Sequence, residues 1–271
     1  REVLLMKPIS ILNDVLGPVM RGPSSSHTAA PFFIAKVARA LFGEEPASAA
    51  FAFDPKGSFA QVYRQQRSDL GLAAGVMGLP ITDERFSRTL DLAAQKGLEI
   101  KFSIEPLSEA DHPNTVGVRI ASRSGQRLSA VARSIGGGAI QFTRVDQWAV
   151  ELRGDAHEML VEMKAEAEPE VLEHLSRKVK WIGAPERQTQ GDLVLLHVNL
   201  HSALDPETKS KVAAMPGVFH LWTAPPVFYP LRGQSLFASA EEMLALAGSR
   251  SLSLGRIALA YESELLGLPE Q

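Results

Sequence analysis

Apolar side chains recur at i, i+3 and i+4 from Phe32 to Leu41, with Phe32, Phe33, Ile34, Val37, Ala38 and Leu41 on one stripe. That spacing predicts a helix with one buried face, stopped at Gly43. A shorter run of the same period covers Ile9–Leu16 and ends at Gly17-Pro18. Ala49–Phe53 alternates as a strand does, and the turn Asp54-Pro55-Lys56-Gly57-Ser58 follows it. Phe59–Arg67 reads as helical, Ser68–Gly78 as a small-residue helix able to pack closely, and Thr82–Gly97 as a further helix. Leu98–Ile104 is a strand, and Val116–Ala121 pairs with Arg127–Val131 as a hairpin across Ser124-Gly125. Gly136, Gly137 and Gly138 close this stretch and permit close backbone approach.

The texture changes at Trp148. Strands are expected at Trp148–Leu152 and His157–Lys164, a helix over Pro169–Val179, an extended segment near Trp181–Gln188, and an apolar strand at Leu193–Leu200. A helix capped by Asp205 runs to about Met215, and a last strand follows near Val218–Thr223. This order approximates β-α-β-β-α-β, the ferredoxin-like arrangement. Pro225-Pro226 and Pro230 make a stiff connector to helical runs at Ala238–Ala247 and Leu252–Leu266. The chain therefore reads as mixed α+β in three parts: residues 1–145, 146–228 and 229–271.

Bulk composition narrows the function. At 271 residues the chain fits two modest domains, and 45% hydrophobic with 22% charged residues is ordinary for a soluble protein. A net charge of -3 argues against nucleic acid or an acidic membrane as partner. No apolar run is long enough for a transmembrane helix, and the apolar core of Arg1–Lys7 is too short for a signal peptide, so a cytoplasmic protein is expected. There is no cysteine. That removes disulfides, thiol nucleophiles and the usual ligands of zinc ribbons and iron–sulfur clusters. Chemistry here uses hydroxyls, imidazoles and carboxylates, or a cofactor held elsewhere.

Gly22-Pro23-Ser24-Ser25-Ser26-His27-Thr28, running into Ala29-Ala30-Pro31, concentrates such groups. Hydroxyls and an imidazole are poor core material unless paired. A Gly-Pro turn feeding a helix start aims side chains and backbone N–H groups at one spot, where a carboxylate or phosphate is favoured. Serine alone at a helix start is more often a cap, but His27 and Thr28 beside Ser24–Ser26 favour a site. Asp69 stands equally well as a helix cap and Asn114 as an ordinary turn residue; His112 reads as a turn residue with its ring bonded to backbone. Gly136–Gly138 lacks the pattern of a phosphate loop. His157, His174, His197, His201 and His220 are scattered, and no metal ligand is assigned among them. A serine hydrolase is disfavoured, since no Gly-x-Ser-x-Gly elbow exists. Pyridoxal-phosphate chemistry is disfavoured because no lysine stands beside the motif.

The serine–histidine motif with Pro31 resembles the signature of the β domain of iron–sulfur-dependent L-serine dehydratases. Matches continue in the family's order with Gly57-Ser58-Phe59-Ala60, Asp69 before a Gly-rich helix, His112-Pro113-Asn114, and Ser134-Ile135-Gly136-Gly137-Gly138. The resemblance spans roughly Ile9 to Phe142 and implies a fold similar to the allosteric substrate-binding domain of some phosphoglycerate dehydrogenases. The middle region is similar to an ACT-type regulatory domain, with Pro169-Glu170 in place of that family's Pro-Gly. The tail, at Ser239–Leu244 and Leu254–Glu264, resembles the opening helices of the dehydratase α domain.

The resemblance implies dehydration and deamination of L-serine, or of a related β-hydroxy amino acid, to a keto acid and ammonia. It implies a [4Fe-4S] cluster bound by an α domain or subunit and not by this chain. The chain is then one subunit of a two-chain enzyme or part of a longer one, in a homo- or hetero-oligomer, with a small amino acid as substrate. Catalytic roles fall to His27, Thr28 and Ser26, and substrate-binding roles to Ser24, Ser25, Ser26, Asp69 and Asn114. Where the family has His-Gly-Thr-Asp this chain has Gln66-Arg67-Ser68-Asp69, so only Asp69 carries over; Val19-Met20-Arg21 is an unusual lead-in. A second class stays open: a non-catalytic module that senses a small carboxylate or amino acid and needs no cysteine-rich partner.

Overall fold

Two compact units make up the computed structural model, which describes residues 8–269 and leaves the Arg1–Lys7 segment outside. Residues 19–227 form the larger. In it, a π-helical turn at Ser25–Ala29 runs straight into α1 (Ala30–Phe42). Gly43 ends α1 at φ 76° and returns its N–H to Arg39 O, as the stripe predicts. There follow β1 (Ser48–Phe53), α2 (Ser58–Val62), α3 (Ser68–Met77) and α4 (Thr89–Gln95). Then come β2 (Glu99–Ile104), β3 (Thr115–Ala121), β4 (Arg127–Gly136), β5 (Ala139–Val145) and β6 (Trp148–Leu152).

These six strands form one sheet in the order β2-β1-β3-β4-β5-β6, with β1 and β2 parallel and the rest antiparallel. Phe51, Phe53, Val118, Ile120, Ala132 and Phe142 are buried, and α1 packs against β3, β4 and β5. α1 and α3 come together because α3 has no side chain where they meet. A Cβ on Gly75 would lie 2.3 Å from Phe32 O, and one on Gly71 would lie 2.4 Å from Thr28 O.

Three expected elements differ. The helix expected over Thr82–Gly97 is a 3-10 turn at Glu84–Arg88 and then the short α4, because Asp83 caps that turn by accepting from Arg85 N. The one expected over Phe59–Arg67 is only α2, which yields to turns after Val62. The change of texture at Trp148 does not end the first sheet. Asp146, at φ 49°, turns the chain so that Val145 pairs with Trp148, and the sheet continues past residue 146. The triple glycine is a hairpin turn between β4 and β5, with all three residues at positive φ.

The second sheet is built from β7 (His157–Lys164), α5 (Glu168–Lys178), β8 (Trp181–Gln190), β9 (Leu193–Leu200), α6 (Pro206–Ala213) and β10 (Val218–Ala224). Its order, β10-β7-β9-β8, is that of the ferredoxin-like fold, and Asp205 caps α6 by accepting from Thr208 N at 2.9 Å. Met159, Val161, Val171, Leu175, Leu196 and Val212 fill its core. The opposite side of these strands carries the buried Glu158, Glu162, His197 and Trp222. The indole N–H of Trp148 donates to Glu162, and Gln188 reaches Ala149 O at 2.6 Å, so the two sheets are tied by polar contacts. The whole is α+β.

The smaller unit holds a π-helical segment at Ile11–Leu16 with α7 (Ala240–Ser249) and α8 (Leu254–Leu266). The buried Glu262 carboxylate of α8 accepts from Ile11 N at 2.7 Å, Leu12 N at 3.0 Å and the Ser10 hydroxyl. It satisfies the open N–H groups of that first turn. Among the described residues no helix is long and apolar enough to cross a membrane.

Candidate active site

The first helix layer and one end of the six-stranded sheet meet at the serine–histidine turn, where the Ser25–Ala29 segment packs against α3 and β4. Ser24 is its cap: the hydroxyl accepts from His27 N at 3.1 Å, and the carbonyl receives Thr28 N at 2.9 Å. The cap and site readings of Ser24 are therefore not rivals. Its Oγ also lies 3.3 Å from Ser26 Oγ, Ser26 Oγ lies 3.0 Å from His27 Nδ1, and His27 Nε2 lies 2.7 Å from Ser58 Oγ. An unbroken chain of hydroxyls and imidazole results. Ser25 is half-buried beside it, and its carbonyl takes Ala30 N.

Burial lowers the His27 pKa below its ordinary value of 6.5. At neutral pH the ring is uncharged, so one nitrogen donates and the other accepts. Phe59 supports the ring edge-on, with centroids 5.0 Å apart.

Thr28 is placed differently from its neighbours. It is fully buried, and its hydroxyl donates to Gln66 O at 2.7 Å. Ser68, also buried, donates to His27 O. Both therefore brace the turn against the α2–α3 connection. Asp69 does not cap α3. The cap position belongs to Arg67, at φ 58°, and the Asp69 carboxylate accepts from Leu70 N at 2.8 Å. Burial raises the Asp69 pKa, against the opposing effects of that hydrogen bond and of Arg64.

The β2–β3 loop completes the group. Ser58 N donates to Pro113 O at 2.7 Å, and Ser134 N donates to Asn114 O at 3.1 Å. The His112 ring accepts from Asn114 N at 3.1 Å, the turn role expected of it.

No family model matches the chain. Two relatives do. A probable L-serine dehydratase β chain of Bacillus subtilis (strain 168) is 32% identical over 212 residues, 77% of this chain and 94% of the relative. An L-serine dehydratase β chain of Peptoniphilus asaccharolyticus is 34% identical over 149 residues, 55% of this chain and 66% of the relative. The chain belongs to the L-serine dehydratase β-chain family.

The sequence has no cysteine, and among the described residues no group of three or more His, Asp or Glu side chains could hold a metal ion. An iron–sulfur cluster does not fit these residues. A cleft of about 560 Å³ opens elsewhere, beside Glu44, Ala47, Lys96 and Arg123, at the far end of β1 from Ser58.

Two polar residues of the β-chain site carry no role in the sequence reading. Ser58 bonds the second nitrogen of His27, and Ser134 lies beside Asn114. Both stand inside quoted motifs, Gly57-Ser58-Phe59-Ala60 and Ser134-Ile135-Gly136-Gly137-Gly138. A hydroxyl directly after a turn glycine, and one at a strand end before a glycine hairpin, are the signals that point to them.

Proposed function

We propose that this chain supplies the substrate-holding and proton-transferring half of a lyase that converts L-serine, or a related β-hydroxy amino acid, to a keto acid and ammonia. For L-serine the keto acid is pyruvate. The observation that carries this reading is the His27 ring bonded to Ser26 on one nitrogen and Ser58 on the other, at the start of a long helix, with burial lowering its pKa.

The geometry supports the following division of roles. Ser24, Ser25 and Ser26, with the first N–H groups of the turn, receive the substrate carboxylate, which the positive end of the helix favours. His27 accepts the Cα proton, a task that requires the uncharged ring. Ser26 and Ser58 fix the ring plane and stabilise the imidazolium by turning their oxygens toward it. Thr28 and Ser68 hold the turn in place, and Asp69 and Asn114 border the substrate. Loss of the proton and of the β-hydroxyl as water leaves an enamine, which tautomerises and hydrolyses to the keto acid and ammonia.

In this reading a [4Fe-4S] cluster would be held by an α component and not by residues of this chain, and would supply Lewis-acid chemistry toward the departing hydroxyl. The absence of cysteine here supports a division of labour between two components. We place the assembly in the cytoplasm, where thiols stay reduced.

The test is reconstitution. Mixed anaerobically with an iron-loaded α component, the chain should release keto acid and ammonia from L-serine, and the chain alone should release neither. Turnover by the chain alone without iron would overturn the proposal. Silence of the loaded mixture toward every β-hydroxy amino acid of a panel would favour the sensing module instead.

A further inference from the structure

We propose that Asn114 and Ser134 form the subsite for the substrate's α-ammonium group and so make this site choose amino acids over hydroxy acids. The inference rests on the reading of the site as an amino-acid site.

Among the described residues five buried side-chain atoms have no hydrogen-bond partner, and two of the five are Asn114 Oδ1 and Ser134 Oγ. They are neighbours. Thr115 pairs with Arg133 across β3 and β4, so Asn114 stands opposite Ser134, and Ser134 N donates to Asn114 O at 3.1 Å. Both share the strand parity of the buried Val116, Val118, Ala130 and Ala132. Ser134 is fully buried. One residue before Asn114, Pro113 O receives Ser58 N, and Ser58 Oγ bonds His27. The unpaired oxygens thus belong to the same end of the sheet as the imidazole.

A buried oxygen without a partner destabilises a fold, so two of them on facing residues suit a ligand that can donate to both. The chemistry selects the ligand. An amide oxygen is purely an acceptor, and a serine oxygen accepts readily. An ammonium brings three donors and can serve both oxygens at once, whereas a carboxylate brings none and could take only the serine O–H. The helix start already suits the anionic end of a zwitterion. Strand-end oxygens for the cationic end divide the substrate between two elements, with the Cα proton between them and near His27.

Ser134→Ala in the assembled enzyme tests this. The KM for L-serine should rise roughly ten- to hundredfold, the worth of one hydrogen bond to a charged group, with kcat changed far less. The inhibition constant of 3-hydroxypropanoate, which keeps the carboxylate and hydroxyl but lacks the amine, should not move. Asn114→Ala should behave alike. Because the Ser134 hydroxyl is unpaired, its removal should leave the thermal midpoint of the ligand-free chain unchanged or raised. The stabilisation that L-serine gives the wild-type chain should shrink in the variant. An unchanged KM, or an inhibition constant that rises in step with KM, would overturn the subsite while leaving the dehydratase reading standing. If the assembled wild type ignores all β-hydroxy amino acids, the dehydratase reading falls. The thermal shift by L-serine against 3-hydroxypropanoate then decides the subsite by itself.

Discussion

His27 and His197 each have both ring nitrogens within reach of a partner, yet their surroundings move their pKa values in opposite directions. His27 lies between the hydroxyls of Ser26 and Ser58, at 3.0 and 2.7 Å. His197 lies between carboxylates, with Glu158 at 2.8 Å on Nε2 and Glu186 at 3.5 Å on Nδ1. Burial alone would lower the pKa of His197, but the bond and charge of Glu158, helped by Glu186, raise it. Hydroxyls bring no countercharge, so at His27 burial prevails and the pKa falls. The charge of the neighbour, more than depth, decides whether a buried histidine's pKa moves down or up. A base needs the first condition, and a clamp across β7, β8 and β9 uses the second.

Removing each ring should therefore break different things. His27→Ala should lower turnover of the assembled enzyme by about 10²- to 10⁴-fold, the range for loss of a general base, while the fold persists. His197→Ala should leave the chemistry in place and destabilise the chain by about 3 kcal/mol near neutral pH, since Glu158 is left buried without its partner. Turnover and chemical-denaturation measurements on the two variants check this. If the losses are exchanged, the assignment of base and clamp is wrong.

The pH dependences should point in opposite directions. A histidine with a raised pKa contributes stability that is fully present below the unfolded value of 6.5 and is lost as pH rises through the raised value. Glu158, raised by its own burial, acts with the same sign. Denaturation midpoints of the wild type should fall from slightly acid to alkaline pH, and Glu158→Gln should flatten that fall. For His27 the value lies below 6.5, so the acid limb of kcat/KM should lie below 6.5 as well. An acid limb above 6.5 would mean that the ring is stabilised as a cation in the assembled site.

Much of this contrast is visible in the chain itself, and the remainder is not, for a physical reason. The serine–histidine turn is legible because its hydroxyls are consecutive in sequence and the helix behind them has a clear stripe from Phe32 to Leu41. Strand order in the second sheet follows from alternation and from Asp205 as a cap. The pairing of His197 with Glu158 depends on strand neighbours 39 positions apart, which no local pattern reports. The same holds for Ser58 against His27, 31 positions apart. Strand β6 escapes its proper sheet in the sequence reading because the turn at Asp146 carries no glycine to mark it. Thr28 stands beside His27 in the sequence, and that adjacency does not report the bond of its hydroxyl to Gln66 O.

Backbone strain sharpens the comparison further, and at the smallest scale. Arg67 occupies the left-handed region at φ 58° between α2 and α3, in the connection whose Gln66 O receives Thr28 and whose Ser68 bonds His27 O. A side chain there costs about 1 kcal/mol that glycine does not pay. The arginine is exposed, so little packing is lost by removing it. Arg67→Gly should raise stability by about 1 kcal/mol, reduced somewhat by the freer unfolded chain, and leave the His197 layer and its pH response untouched. If turnover is also retained, the braces on His27 need the left-handed turn itself and not the arginine that makes it. A loss of stability would show instead that the Arg67 side chain holds the connection, and the strain argument on the His27 side would fall.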